Sequence, residues 1–120
     1  MTNKRISSYK MFGKKLLIVT GDSINKVEFP SEVKQVLEFD DVLIVRLKVS
    51  KENTLGENVF GVSLDGRILW QIPTISHVYQ NSPYTSIYRE GDFVGAFNWD
   101  GTELTLNRLT GEIIKQGYSK

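Results

Sequence analysis

Along most of this chain apolar and polar residues alternate with a period of two, in short runs punctuated by Gly, Asp and Pro. That is the pattern of half-buried strands joined by tight turns. The clearest case runs from Asn58 to Ile72, where one strand-like segment reaches Asp65-Gly66 and another leaves it. Forty-five positions later the pattern returns between Glu103 and Gly117: Leu64 is matched by Leu109, Gly66 by Gly111, Ile68 by Ile113, Leu69 by Ile114 and Gln71 by Gln116. Asp-Gly and Thr-Gly between apolar runs are strong hairpin signals, because Gly accepts the positive φ that a twist-matched turn requires. A weaker copy spans Lys15 to Phe29 around Gly21-Asp22, with Ile24 forty-four positions before Ile68. A hairpin repeated at this period predicts sheets stacked as blades.

The remaining segments fill out that frame. Val33 to Phe39 is read as a strand, with a short helix as the alternative, because Val33, Val36 and Leu37 also stand at i, i+3 and i+4. After the turn pair Asp40-Asp41, the run from Val42 to Val49 predicts a strand whose apolar start is buried on both faces. Further strands are expected at 86–90, 93–99, 104–108 and 113–118, with a long loop at 73–85. The expected fold is all-β: antiparallel four-stranded blade-like sheets stacked as a partial, half β-propeller of about ten strands. A single meander sheet or a β-sandwich is the alternative. Residues 1–10 read as a loose N-terminal arm or a late-docking edge strand, and 11–120 as one half-propeller-like β-domain.

Composition narrows the function classes. Fifteen basic and fourteen acidic side chains leave a net charge of +1, so no global field recruits nucleic acid or an anionic membrane. Cys is absent, which removes disulfide and thiol chemistry and suits a reducing cytoplasm. No stretch has the length of a signal-peptide core or a membrane span. Groups suited to catalysis are few. The one histidine, His77, has no Cys, Asp or Glu at metal-ligand spacing, and no phosphate-binding glycine loop exists. The aspartates at 22, 40, 41, 65, 92 and 100 stand at turns, where the carboxylate bonds nearby backbone N–H groups. No cofactor or metal is expected. An enzyme using His77 with Asp100 or Tyr79 is the minority reading.

Blade geometry divides the connections between two rims. The turns at 21–22, 40–41, 65–66, 91–92 and 110–111 share one and read as scaffolding; the longer connections at 30–32, 50–57, 73–85 and 99–103 share the other. Function concentrates on such loops over a rigid scaffold. Glu32, Glu52, Glu57, Asp100 and Glu103 against Lys51 make that rim acidic, five minus one, and His77, Tyr79, Tyr84 and Trp99 stand among them. Carboxylates around aromatic anchors fit a basic protein partner and repel nucleic acid. The bland reading packs Tyr84 and Trp99 between blades and leaves the glutamates as solubilising charges.

The arrangement around Asn58 to Ile72, followed by Gly95-Ala-Phe-Asn-Trp-Asp-Gly101 and Leu109-Thr-Gly-Glu-Ile113, resembles small immunity proteins of bacterial toxin systems, and more narrowly the half-propeller immunity proteins of contact-dependent growth inhibition. The similarity covers roughly residues 15–118, and strand–Asp-Gly–strand–Trp-Gln also occurs in longer quinoprotein-like propellers. The resemblance implies a cytoplasmic, non-catalytic inhibitor, monomeric or in a 1:1 complex, that covers the active site of a cognate toxin domain, with a nuclease, best a ribonuclease, as target. A sequence pI near 7.9 departs from the acidic balance common in nuclease inhibitors. The family lends no binding motif by position. The competing expectation is a scaffolding β-domain that self-associates through its open blade faces.

Overall fold

A computed structural model describes residues 8–49, 56–76 and 82–118. Among them the chain forms eleven strands: β1 (Ser8–Phe12), β2 (Lys15–Thr20), β3 (Ser23–Glu28), β4 (Val33–Glu38), β5 (Val42–Leu47), β6 (Val59–Ser63), β7 (Ile68–Gln71), β8 (Tyr84–Glu90), β9 (Phe93–Asn98), β10 (Thr102–Asn107) and β11 (Ile113–Tyr118). They make three antiparallel sheets in chain order, β1-β2-β3, β4-β5-β6-β7 and β8-β9-β10-β11. The first sheet has three strands because Ser8–Phe12 pairs along β2 as an edge strand; residues 1–7 of the expected N-terminal arm lie outside the described residues.

Val33–Glu38 is a strand, and its helix-like spacing has a local cause. The register between β4 and β5 slips at Lys34, so a bulge brings Val33 and Val36 to the same face, while Leu37 turns to the other. β5 is buried on both sides, as its apolar run implies. On one side of the middle sheet, Leu43, Val45, Phe60 and Val62 pack with Leu16, Ile18, Val27 and Phe29 of the first sheet. On the other, Val42, Ile44, Val59 and Trp70 pack with Ile87, Val94, Leu104 and Leu106 of the last. The terminal sheets each bury one face. The three stacked sheets form a partial β-propeller, and Gly21, Gly66 and Gly111, forty-five residues apart, all take positive φ at the last hairpin of their sheets.

Two devices lock the middle sheet to the last. Trp70 lies flat over Gly61 of its own sheet and against Gly111 of the next, where added Cβ atoms would sit 2.2 and 2.7 Å from its ring, and its Nε1 donates to the Arg108 carbonyl at 2.9 Å. The second device covers the exposed edge of β8. Asn58 Nδ2 donates to the Tyr84 carbonyl (3.0 Å) while its Oδ1 accepts from the Tyr84 N–H (2.8 Å). Gln35 does the same for Ile87, donating at 2.8 Å and accepting at 3.2 Å. Each side-chain amide thus stands in for a neighbouring strand.

Candidate partner-binding rim

The two rims are fixed in different ways. On the rim of short turns, Arg108 forms a two-pronged pair with Asp41 (Nε–Oδ1 3.0 Å, Nη2–Oδ2 2.8 Å) and donates to the Asp92 carbonyl, tying three turns together. Those hydrogen bonds hold the Asp41 carboxyl below its ordinary pKa. Arg89 stacks over Phe39 at 4.4 Å. These are scaffold contacts, as the turn residues imply.

The opposite rim is held from below by buried polar side chains. Ser82 Oγ donates to Asn98 Oδ1 at 2.6 Å, and Asn98 Nδ2 returns a bond to the Ser82 carbonyl at 3.0 Å. Asn98 Oδ1 also accepts from the Asp100 N–H, and Asp100 Oδ1 accepts from the Thr102 N–H at 2.9 Å. The Asn98–Gly101 turn is closed by Gly101 N–H to the Asn98 carbonyl, and Trp99 N–H donates to the Pro83 carbonyl at 2.8 Å. The ring of Trp99 rises from this braced turn and is 61% exposed. A bulky ring on a pre-ordered turn binds without a large ordering cost.

The expected rim residues divide sharply. Glu52, His77 and Tyr79 lie outside the described residues. Glu32 is exposed and reaches Lys48 at 4.0 Å; Glu57 is half-buried at the rim. Tyr84 is not a surface anchor: it is the first residue of β8, 1% exposed, and burial raises the pKa of its hydroxyl. Asp100 is 5% exposed, and its carboxylate caps its own turn rather than standing on the surface. Glu103 faces away from the core on the outer side of the last sheet, in a shallow depression with Tyr88, Glu90, Thr105 and Lys115. Burial, Glu103 and Glu90 together raise the Tyr88 pKa. Among the described residues, Trp99, Glu32 and Glu57 stand on the rim as expected.

The acidic balance does not hold among the described residues. Strand ends bring Lys34, Arg46 and Lys48 to the same rim and Lys14 sits at the β1–β2 turn, where they accompany Glu32 and Glu57, while Glu28 at the end of β3 is paired with Lys26. Counting loops alone missed them, because Lys34 and Arg46 lie within strands. Among the described residues no three His, Cys, Asp or Glu side chains gather as a metal site. No helix among the described residues is long and apolar enough to cross a membrane.

Stacked antiparallel sheets of three and four strands with a common hairpin register place the chain among propeller-like β-domains. It belongs to DUF7957, a domain family of unknown function, matched over residues 6–118. No curated protein matches it in sequence. Among solved structures it is similar to the propeller BamB from Moraxella catarrhalis (TM-score 0.62, 19% identity, 92% of this chain and 33% of that one). It is also similar to the computationally designed Ika8 (0.56, 16%, 96% and 37%) and Ika4 (0.56, 15%, 100% and 76%). The chain therefore spans about a third of Ika8 and BamB and three quarters of Ika4. At these identities the likeness shows the fold.

Proposed function

We propose that this chain is a non-catalytic protein-binding domain whose partner docks on the rim that carries Trp99. The observation that supports it is the combination of a 61% exposed indole with a turn fixed by the buried Ser82–Asn98–Asp100–Thr102 bonds. Large aromatic side chains are the commonest anchors of protein interfaces. In its finer form the reading is an immunity protein, acting in the cytoplasm of a competing bacterium, that covers the active site of a cognate toxin domain. That form rests on the resemblance of the 58–72 and 95–113 segments. Glu32 and Glu57 remain to pair with bases of such a partner, although the mixed charge of the rim favours one that is not uniformly basic.

The test looks beside the gene for a reading frame that ends in a toxin domain and measures rescue of growth and binding to that domain by calorimetry. Trp99→Ala should weaken binding by roughly 2 kcal/mol, about thirtyfold, while leaving thermal stability unchanged. Full-strength binding by that variant would remove the rim from the interface, and absence of both rescue and binding would end the immunity reading.

Self-association is a second reading with its own observation. The outer face of the first sheet carries Phe12 (51% exposed) and Ile24 (69%), and that of the last carries Phe93 (40%). Sedimentation velocity over a hundredfold concentration range decides it, since a constant monomer leaves these faces without that role.

A further inference from the structure

Between the first strands of the middle and last sheets lies an open recess of about 270 Å³, lined by Lys34, Arg46, Lys48, Asn58 and Tyr84, with Leu47, Val49, Pro83 and Thr85 completing it. Its size falls near the lower end of small-molecule sites. Its walls come from irregular backbone. The β4–β5 register slips at Lys34 and the β8–β9 register at Thr85, so the two bulged residues, on adjacent first strands, both line the recess. Bulges re-aim side chains and gather next to functional sites.

The charge in the recess is one-sided. Three cations line it and no described carboxylate does. Arg46 is half-buried, and burial lowers its pKa, with no described acid compensating. Its Nε donates to Gln35 Oε1 at 3.0 Å. Gln35 is in turn clamped to Ile87, so the guanidinium plane is fixed while its Nη edge has no carboxylate partner among the described residues. A partly desolvated cation is costly unless something answers its charge. Lys48 meets Glu32 only at 4.0 Å, with both side chains about half exposed, a contact that an incoming anion displaces cheaply. The floor is rigid, because Asn58 spends its amide on Leu47 and Tyr84.

We infer that this recess binds a small polyvalent oxyanion, a phosphate monoester or a di- or tricarboxylate. The Arg46 fork takes two of its oxygens, Lys34 and Lys48 neutralise the remaining charge, and Leu47, Val49 and Pro83 cover its carbon skeleton. This site neither requires nor excludes a protein on the Trp99 turn. The two are neighbours, since Pro83 lines the recess and accepts the Trp99 N–H.

The experiment is an NMR titration of isotope-labelled protein with inorganic phosphate, with citrate and, at matched ionic strength, with sodium chloride. Saturable shifts of the Arg46 Nε–Hε resonance and of the Leu47 and Thr85 amides are expected with at least one of the two oxyanions. Saturation by citrate alone assigns carboxylates, and by phosphate alone phosphate esters. Arg46→Gln should weaken binding about tenfold. Because Arg46 also supports Gln35, the double variant Lys34→Gln/Lys48→Gln provides a second arm on exposed side chains and should weaken it by a similar factor. Arg67→Gln, in the β6–β7 turn on the other rim, should bind as the parent does. Non-saturating shifts, shifts reproduced by chloride, or binding unchanged in both recess variants would overturn the assignment.

Discussion

Replacing Asn58 tests the claim that side-chain amides, rather than apolar contact alone, hold the last two sheets together. Asn58 is 1% exposed and makes three hydrogen bonds: Nδ2 to the Leu47 carbonyl (2.8 Å), Nδ2 to the Tyr84 carbonyl (3.0 Å), and Oδ1 from the Tyr84 N–H (2.8 Å). Asn58→Leu keeps the branching at Cγ, with a larger side chain, but strands the Tyr84 N–H and two carbonyls at a buried edge. Each such group costs about 1–3 kcal/mol when fully dry. The adjoining recess lets water reach part of the site, so a total of about 2–4 kcal/mol is expected. For a chain of this length that is a fall in Tm of roughly 8–16 °C. Urea unfolding followed by tryptophan fluorescence reads it, because Trp70 lies buried in the same interface. A loss below about 0.5 kcal/mol would refute the amide argument.

Asn58→Asp sharpens the test through pH. The carboxylate can still accept from the Tyr84 N–H but opposes two carbonyl oxygens. Its pKa in the folded state must therefore rise above the unfolded value of about 3.9. For an acid with a raised folded pKa, the penalty is full above that pKa and vanishes below the unfolded one. The stability gap between Asn58→Asp and the parent should narrow as pH is lowered from 7 towards 4, and a gap that widens would show the site to be more open than described.

Three further outcomes follow from the same coordinates. Gly111→Ala combines a φ of +74° with a Cβ 2.7 Å from the Trp70 ring and should cost about 2–4 kcal/mol, whereas Gly91→Ala, at φ +60° in open space, should cost only about 1–2; equal costs in urea titrations would dismiss the Trp70 clash. Asp41→Asn removes the Arg108 pair, which is worth about 0.5 kcal/mol given its exposure. Because Arg108 lowers the Asp41 pKa, that contribution is present above about pH 4 and lost as pH falls through the folded pKa, so the two proteins should converge in acid, and a gap that persists at pH 2.5 would contradict the assignment. Trp70→Phe keeps most of the apolar contact but deletes the bond to the Arg108 carbonyl, and should destabilise by about 1–2 kcal/mol; because the variant lacks the buried fluorophore, urea unfolding is followed by circular dichroism, and a neutral result there would make that bond dispensable.

The strands were legible because their information is local: alternation marks a face, and a positive-φ glycine marks a hairpin. The 45-residue recurrence of Gly21, Gly66 and Gly111 exposed the stacking as well. The site was much less legible. Tyr84 follows Pro83 at the end of a long loop, so nothing local marked it as the start of β8, and an aromatic counted for the surface belongs to the core. Asp100 showed its chemistry, a turn cap, but not its depth. Lys34 and Arg46 sit within strands, where alternation makes them outward-facing charges; only the bulge at Lys34 and the approach of β4 to β8 aim them at a common recess. Glutamine at 35 and asparagine at 58 gave no signal either, since their bonds cross 52 and 26 residues of sequence.

Those two amides also bear on the proposal that a partner or ligand meets one rim rather than the other. An unclosed stack of sheets must keep its blades in register without the mutual restraint that closing the ring supplies. On the rim of short turns this is done from above, by Arg108 reaching across to Asp41 and Asp92, and the surface is consumed by its own contacts. On the opposite rim it is done from below, by Asn58, Gln35, Asn98 and Ser82 bonding to backbone or to each other beneath the surface. Bracing from beneath leaves the indole of Trp99 61% exposed, with the exposed cations Lys34 and Lys48 on the same rim, above the described bonds that join the sheets. A ligand or partner meeting them therefore gains interactions without first disrupting the contacts that keep the sheets together.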